Sequence, residues 1–269
     1  MAHAIQHGAT RLIVGVGGSA STDGGAGALQ ALGIGLLDST GQAIGHGGLA
    51  LADLAQVIPN PQLASISLDV LCDVDHLPLG PTGSAAVFGP QKGATPTQVT
   101  LLDANLTHFF GLIAAQGGRD VRQMAGAGAA GALAGGLAAL AGAQLVPGAQ
   151  TILQSLGYPD LIAQCDLVIT GEGRLDEQTE HGKGPAVIAQ FAAQRSIPVI
   201  ALAGQIPDSA LPQFQAMFSL LPRPSTLAES QAHASDWLTQ LAYQVGQTLS
   251  VGQLVRPPVC QDKTSATNP

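Results

Sequence analysis

The stretch Val168–Pro185, VITGEGRLDEQTEHGKGP, runs from an apolar, strand-like segment into Gly-Glu-Gly and then into a cluster of charges. Arg174, Asp176, Glu177, Glu180, His181 and Lys183 all stand within the ten residues 174–183. A short apolar run stopped by glycines, then a polar loop, then an apolar segment opened by Pro185, has the order strand, loop, helix. The same order recurs in both directions. Strands are expected at Leu12–Val16, Leu68–Cys72, Leu167–Thr170 and Val199–Ala203. Helices are expected at Ala26–Leu32, Pro96–Ala115 with Thr95 as N-cap, Ala129–Ala141, Ala149–Ala163 interrupted by Gly157 and Pro159, Pro185–Arg195 and Leu227–Leu249. Alternation of this kind predicts an α/β protein with largely parallel strands. From Arg256 the chain reads as a loose polar tail.

Composition narrows the function. The chain has 269 residues, 46% of them hydrophobic but only 3% aromatic, so a large core must be built from Ala, Leu, Val and Ile. The formal net charge of -8 argues against a nucleic-acid binder, which needs a basic face. Cys72, Cys165 and Cys260 are widely spaced and form no CxxC pair, which fits a reducing compartment and a cytoplasmic location. Met124–Ala143 is uncharged and long enough to span a bilayer, yet it is mostly Ala and Gly, which favour insertion little. It is read as a closely packed helix, and no membrane partner is expected. His3 and His7 sit at helical spacing without an acidic partner and are read as surface residues.

With charged residues at only 10%, a local charge cluster is informative. In open α/β sheets ligands lie beyond the carboxyl ends of strands. Gly171, Glu172 and Gly173 are expected there, the glycines offering backbone N–H groups to an anion. Lys183 is expected at a helix start, where the dipole also favours negative charge. Glu172 and Asp176 could hold Mg²⁺ through oxygen, and Thr179 lies in the same loop. A cation, a lysine and a helix start together suit a transferring phosphoryl group. The alternative is a solvated loop with capping acids. "EHGKGP" is not a Walker A loop, because the upstream Gly and the following Ser/Thr are missing.

Two further loops resemble ligand loops. Gly15–Ala20 fits GxGxxA after a strand, with Asp38 placed to meet a ribose, so a nicotinamide-dependent oxidoreductase is the rival reading. Against it, Ser21-Thr22-Asp23-Gly24-Gly25 falls where the dinucleotide helix should run, and paired glycines weaken a helix. A longer polar loop would place Ser19, Ser21, Thr22 and Asp23 along a pocket. Gly126–Gly131 matches GxGxxG but follows no strand. In "LCDVDHLPLGPTGSAAVFGPQKGA" a strand ends at Asp73 and Asp75, and a Gly/Pro loop leads to Lys92. These acids are either ligand contacts or turn formers.

The motifs "GVGGSASTDGGAGALQALG", "CDVDHLPLGPTGSAAVFGPQKGA", "GAGAAGAL", "DLVITGEGRLDEQTEHGKGPAVIA" and "FSLLPRPSTLAES" together resemble, in order, those of bacterial type I glycerate kinases. The resemblance reaches to about Leu249. It implies ATP-dependent phosphorylation of D-glycerate to 2-phosphoglycerate with Mg²⁺. It also implies two α/β domains with a cleft between them, one Rossmann-like and incomplete at its N-terminal part. The divisions expected are 1–150, 151–255 and a tail at 256–269. Lys183, Asp176 and Glu172 are the expected catalytic residues, with Glu172 and Asp176 also on the metal. Ser19, Asp23, Asp73, Lys92, Gly171, Gly173 and Thr179 are expected to contact substrate or nucleotide. These roles rest on the local chemistry above, since the resemblance names no base.

Thr22 stands before Asp23, and His76-Leu77-Pro78 stands where the family has Asn-Pro-Leu. The family's opening "DSFKG"-like and "ADGGEGT"-like motifs do not occur here. A domain-sized piece of the pattern, on the order of 100 residues, is therefore expected to be absent. The chain alone is expected to have little or no kinase activity and to be only marginally soluble. A non-catalytic kinase remnant is a third reading.

Overall fold

A computed structural model describes residues 1–176 and 183–254. The expected tail at 256–269 and Thr179 lie outside the described residues. The chain forms two compact units, Met1–Tyr158 and Pro159–Pro269.

The first unit runs α1 (Ala2–Gln6), β1 (Arg11–Gly15), α2 (Ala26–Ala31), β2 (Gly35–Leu37), β3 (Gln56–Ile58), β4 (Ser67–Leu71), α3 (Ser84–Phe88), α4 (Pro96–Ala115), α5 (Ala129–Leu140), β5 (Gln144–Val146) and α6 (Gly148–Ser155). Strands β1, β4 and β5 form a parallel sheet in that order, with Leu12 opposite Leu68 and Val70 opposite Leu145. β2 and β3 pair antiparallel in a separate two-stranded sheet.

Helix α4 shows why these residues fold this way. Thr95 and Gln98 form a reciprocal capping box and Pro96 opens the first turn. Leu106, Phe109, Phe110 and Ile113 then recur at helical spacing and are all buried. They pack with Leu29, Val70, Val121 and Leu137 into one core. With so few aromatics, Phe109 and Phe110, edge-to-face at 5.1 Å, carry much of its volume.

The expected helix Ala129–Ala141 departs from regularity at its start. Ala130, Gly131 and Ala132 have φ of 56°, 71° and 65°, a left-handed stretch before the right-handed helix. The cause is a backbone contact. A Cβ on Gly131 would fall on the Ser21 carbonyl, and Gly24 donates its N–H to the Gly131 carbonyl at 3.0 Å. The Gly/Ala-rich GxGxxG stretch thus serves backbone-to-backbone packing against the loop after β1. Among the described residues no helix is long and apolar enough to cross a membrane.

The second unit runs α7 (Tyr158–Ile162), β6 (Val168–Arg174), α8 (Gly184–Ala193), β7 (Val199–Gln205), β8 (Ala216–Ser219), α9 (Leu227–Ala232) and α10 (Ala234–Leu254). Its sheet is parallel in the order β6-β7-β8, with β7 buried from Val199 to Ala203. α8 lays Ala186, Val187, Ala189 and Phe191 inward.

The interruption expected within Ala149–Ala163 is present, and α6 and α7 are separated at Gly157, whose φ is 69°. Two expectations are corrected here. The buried strand Leu167–Thr170 is longer, reaching Arg174, and Ile169 is half-exposed on one face. The expected helix Leu227–Leu249 is two helices, because the chain bends at His233. Thr226 caps the first of them by accepting from the Glu229 N–H at 3.2 Å. Arg223 bonds Glu229 and lies 5.8 Å from the Trp237 ring centre, while the His233 ring stacks on the same indole at 5.6 Å. Much of the "FSLLPRPSTLAES" motif is thus spent on this joint.

Candidate active site

The candidate residues fall into two groups, one in each unit. In the first unit they lie on loops at the carboxyl ends of parallel strands. The loop after β1 runs as far as Gly25, and α2 begins only at Ala26. A dinucleotide turn leads directly into its helix, so Gly15–Ala20 does not have that geometry.

Lys92 reaches into this loop from the segment between α3 and α4. Its ammonium donates to Ser19 Oγ at 3.0 Å and to the Ser21 carbonyl at 2.6 Å. Burial pushes the Lys92 amine below its usual range, and the negative charge of Asp23 partly offsets this. Asp23 is itself buried, and its carboxylate accepts from the N–H groups of Gly25 (3.1 Å) and Gly27 (3.3 Å). It caps α2 and faces the lysine only through space. Asp73 turns elsewhere, accepting from the Gly148 N–H at 2.7 Å at the start of α6. The structure therefore brings Ser19 and Lys92 together with Asp23 behind them, and sets Asp73 to a capping task.

Two cavities flank Lys92. One, of about 340 Å³, is lined by Ser21, Thr22, Gly48, Lys92 and Gly93 among others. The other, of about 170 Å³, is lined by Gly18, Ser19, Phe88, Gln91, Lys92 and Ala130 among others. Gln91 stands beside Lys92 in the Gly/Pro loop, whereas Phe88 and Ala130 carry no signal of their own as site residues in the sequence. The glycine pattern at 126–131 was the only signal near Ala130, and it suggested a nucleotide loop instead.

In the second unit Gly171, Glu172 and Gly173 are not a free loop. They continue β6, with Gly171 opposite Leu202 and Glu172 opposite Ala203. A Cβ at Gly171 would fall on the Leu202 carbonyl, so glycine here permits close strand approach. The expectation that these glycines offer loop amides to an anion is corrected accordingly. Past the strand, Asp176 lies 3.4 Å from Lys183 Nζ and 3.7 Å from Arg174 Nε. Lys183 occupies the N-cap position of α8, with Pro185 in the first turn. A lysine at this end opposes the helix dipole. Lysine, dipole and Arg174 all favour an anion there, and Asp176 supplies one negative charge. Among the described residues no group of three or more His, Cys, Asp or Glu is gathered around a common point.

Residues 1–250 match the sequence model described as the glycerate kinase family. The chain belongs to the glycerate kinase family. It is 42% identical over 249 residues to a glycerate kinase of Halalkalibacterium halodurans, covering 90% of this chain and 66% of that one. It is 40% identical over 256 residues to a glycerate 2-kinase of Escherichia coli, covering 93% and 67%. The crystal structure of a putative glycerate kinase 2 from Salmonella typhimurium superposes with a TM-score of 0.80 at 41% identity, covering 94% of this chain and 68% of that one. The chain thus spans about two thirds of the length of these glycerate kinases. The motif resemblance is borne out at the level of family, and the mixed α/β architecture with parallel sheets agrees with it.

Proposed function

We propose that the protein is an ATP-dependent glycerate kinase that gives 2-phosphoglycerate. The observation that carries this reading, beyond family membership, is Lys183 at the start of α8, beside Asp176 and Arg174. The γ-phosphoryl passes from ATP to a hydroxyl oxygen of D-glycerate. The bond to the β-phosphate bridging oxygen breaks, ADP leaves, and the hydroxyl proton goes to a base. Lys183 and the α8 N-terminus bind the phosphoryl oxygens and take up their developing charge. Glu172 lies near the end of β6 and Asp176 two residues past it, so the two carboxylates stand close in the chain at the strand's carboxyl end. Their hard oxygen donors fit Mg²⁺, which binds through one or two carboxylates plus substrate phosphates. When bound, the ion would neutralise phosphate charge.

Gly171 keeps β6 close to β7 and so positions Glu172, and Gly173 continues the same strand. Thr179 is assigned to the same phosphate-binding segment. In the first unit Ser19 and Lys92 contact substrate. Asp23 keeps the lysine charged and the loop ordered, and Asp73 holds the start of α6. A cytoplasmic location fits such an enzyme.

The test is ADP release, coupled to NADH oxidation, with D-glycerate, ATP and Mg²⁺. Turnover with D-glycerate and none with glycerol is expected. A folded protein, verified by circular dichroism, that releases no ADP would remove the kinase reading and leave a binding protein.

A further inference from the structure

We propose that the Lys92 ammonium is the anchor for the carboxylate of the hydroxy-acid substrate, in the cavity walled by Ser19, Phe88, Gln91 and Ala130. This rests on the kinase reading for its choice of acid, and it assigns the first unit one half of the recognition.

Three observations carry it. First, Lys92 is a half-buried cation whose named partners are neutral. An ammonium has three N–H donors. Two are taken, by the Ser19 hydroxyl and the Ser21 carbonyl. Among the described residues Lys92 makes no ion pair, whereas Lys183 is paired to Asp176. Asp23 is held by the Gly25 and Gly27 N–H groups and acts on the lysine only at longer range. A partly desolvated charge without a counter-ion is costly, and an anionic ligand would supply the missing charge and the missing acceptor.

Second, the cavity of about 170 Å³ on the Ser19 side is smaller than the roughly 300 Å³ at which pockets for drug-sized ligands begin. Its volume suits a three-carbon acid better than a whole nucleoside triphosphate. A single lysine also matches one carboxylate better than a polyphosphate. Third, the wall opposite is strained. Ala130 lies at φ 56° and Ala132 at φ 65°, a region that non-glycine residues enter at a cost. Such strain persists where the surroundings over-determine it, and it gathers at binding sites. Ala130 lines the same cavity as Lys92 and Ser19. The apolar ring of Phe88 and the amide of Gln91 complete a pocket with one charged corner.

The experiment is calorimetric titration of the full chain, without ATP, by D-glycerate and separately by glycerol, which keeps hydroxyls but lacks the carboxylate. The wild type is expected to bind D-glycerate saturably and at least about tenfold more tightly than glycerol. Lys92→Met keeps most of the side-chain stem and removes the charge. It is expected to lose at least about tenfold in D-glycerate affinity, with ATP affinity unchanged. D-glycerate affinity retained within about twofold in this variant overturns the proposal. So does a loss of ATP affinity in its place, or a wild type that does not bind D-glycerate.

A second measurement needs no variant. D-glycerate, but not glycerol, should slow acetylation of Lys92 in the wild-type protein, followed by peptide mass spectrometry. Equal rates with and without D-glycerate also overturn the proposal. D-glycerate binding and protection as described, without ADP release in the kinase assay, would leave the anchor standing and remove the kinase reading alone.

Discussion

Each unit has one candidate lysine, and the surroundings of the two predict different behaviour. Lys183 is 39% exposed and its 3.4 Å pair with Asp176 is partly solvated. Pairs of this kind stabilise by no more than about 1 kcal/mol. Lys183→Ala should therefore leave the melting temperature within a few degrees of the wild type. It should lower kcat by about a hundredfold or more, because a positioned cation acts on transition-state charge. Activity within about twofold of wild type would make Lys183 a surface residue.

Lys92 is different because burial pushes its amine below the usual lysine value of 10.5. Between its folded pKa and 10.5 the unfolded chain binds more protons than the folded one. This group's contribution to stability therefore rises with pH through that window and is lost as pH falls through the folded value. Substrate recognition runs the other way. The KM for D-glycerate should climb with pH from a point below 10.5, while in Lys92→Met this limb should vanish. An unchanged alkaline limb in the variant would assign it to another group. Ser19 and Lys92 were legible as site candidates because a lysine and a hydroxyl stand out in Gly-rich loops. Their direct contact was not, since 73 residues separate them and only the folded loops bring them within 3.0 Å.

At the level of elements, the sequence was readable where local propensity and burial agree. α4 carries its own cap, a proline at the start and apolar residues on one face, and it runs from Pro96 to Ala115 as expected. β2, β3 and β5 were not anticipated, because three-residue strands are too short to show a period. The extension of β6 through Gly171 and Gly173 was missed because glycine disfavours strands, and here close approach to β7 overrides that preference. The left-handed start of α5 was hidden by its alanines, the strongest helix formers.

A related strain gives a prediction. After α8 the Ile197 N–H reaches back to the Ala192 carbonyl at 3.0 Å, closing a Schellman-type turn with Ser196 at φ 56°. Glycine is the usual residue at such a position. Ser196 is exposed and packs little. Ser196→Gly should stabilise the protein by about 0.5–1 kcal/mol, read as a raised denaturation midpoint. Gly171→Val should do the reverse, driving a side chain into the Leu202 carbonyl and costing on the order of 3 kcal/mol or more. A Gly171→Val protein as stable as the wild type would show that β6 and β7 can move apart freely.

For the whole molecule, the two units should unfold at different temperatures. Among the described residues, the largest fully buried side chains are concentrated in the first unit. Phe109, Phe110, Leu29, Leu106, Ile113 and Leu137 belong there, while the second unit contributes Leu175 and Val199. The second unit also leaves Ile169, Leu238, Tyr243 and Val251 exposed. Burial of apolar area is the dominant favourable term, so the second unit should melt first and a two-state description should fail. The only tryptophan, Trp237, is buried in the second unit and reports it alone. Its fluorescence should change at a lower temperature than the main loss of far-ultraviolet circular dichroism. A ligand raises the melting temperature of the unit that binds it. If Lys92 anchors the acid, D-glycerate at about a hundred times its Kd should move the upper transition by several degrees and leave the Trp237 transition nearly still. In Lys92→Met neither transition should respond. Coincident transitions in the wild type would show that the units unfold as one. A D-glycerate shift confined to Trp237 would place the acid in the second unit, against the Lys92 assignment.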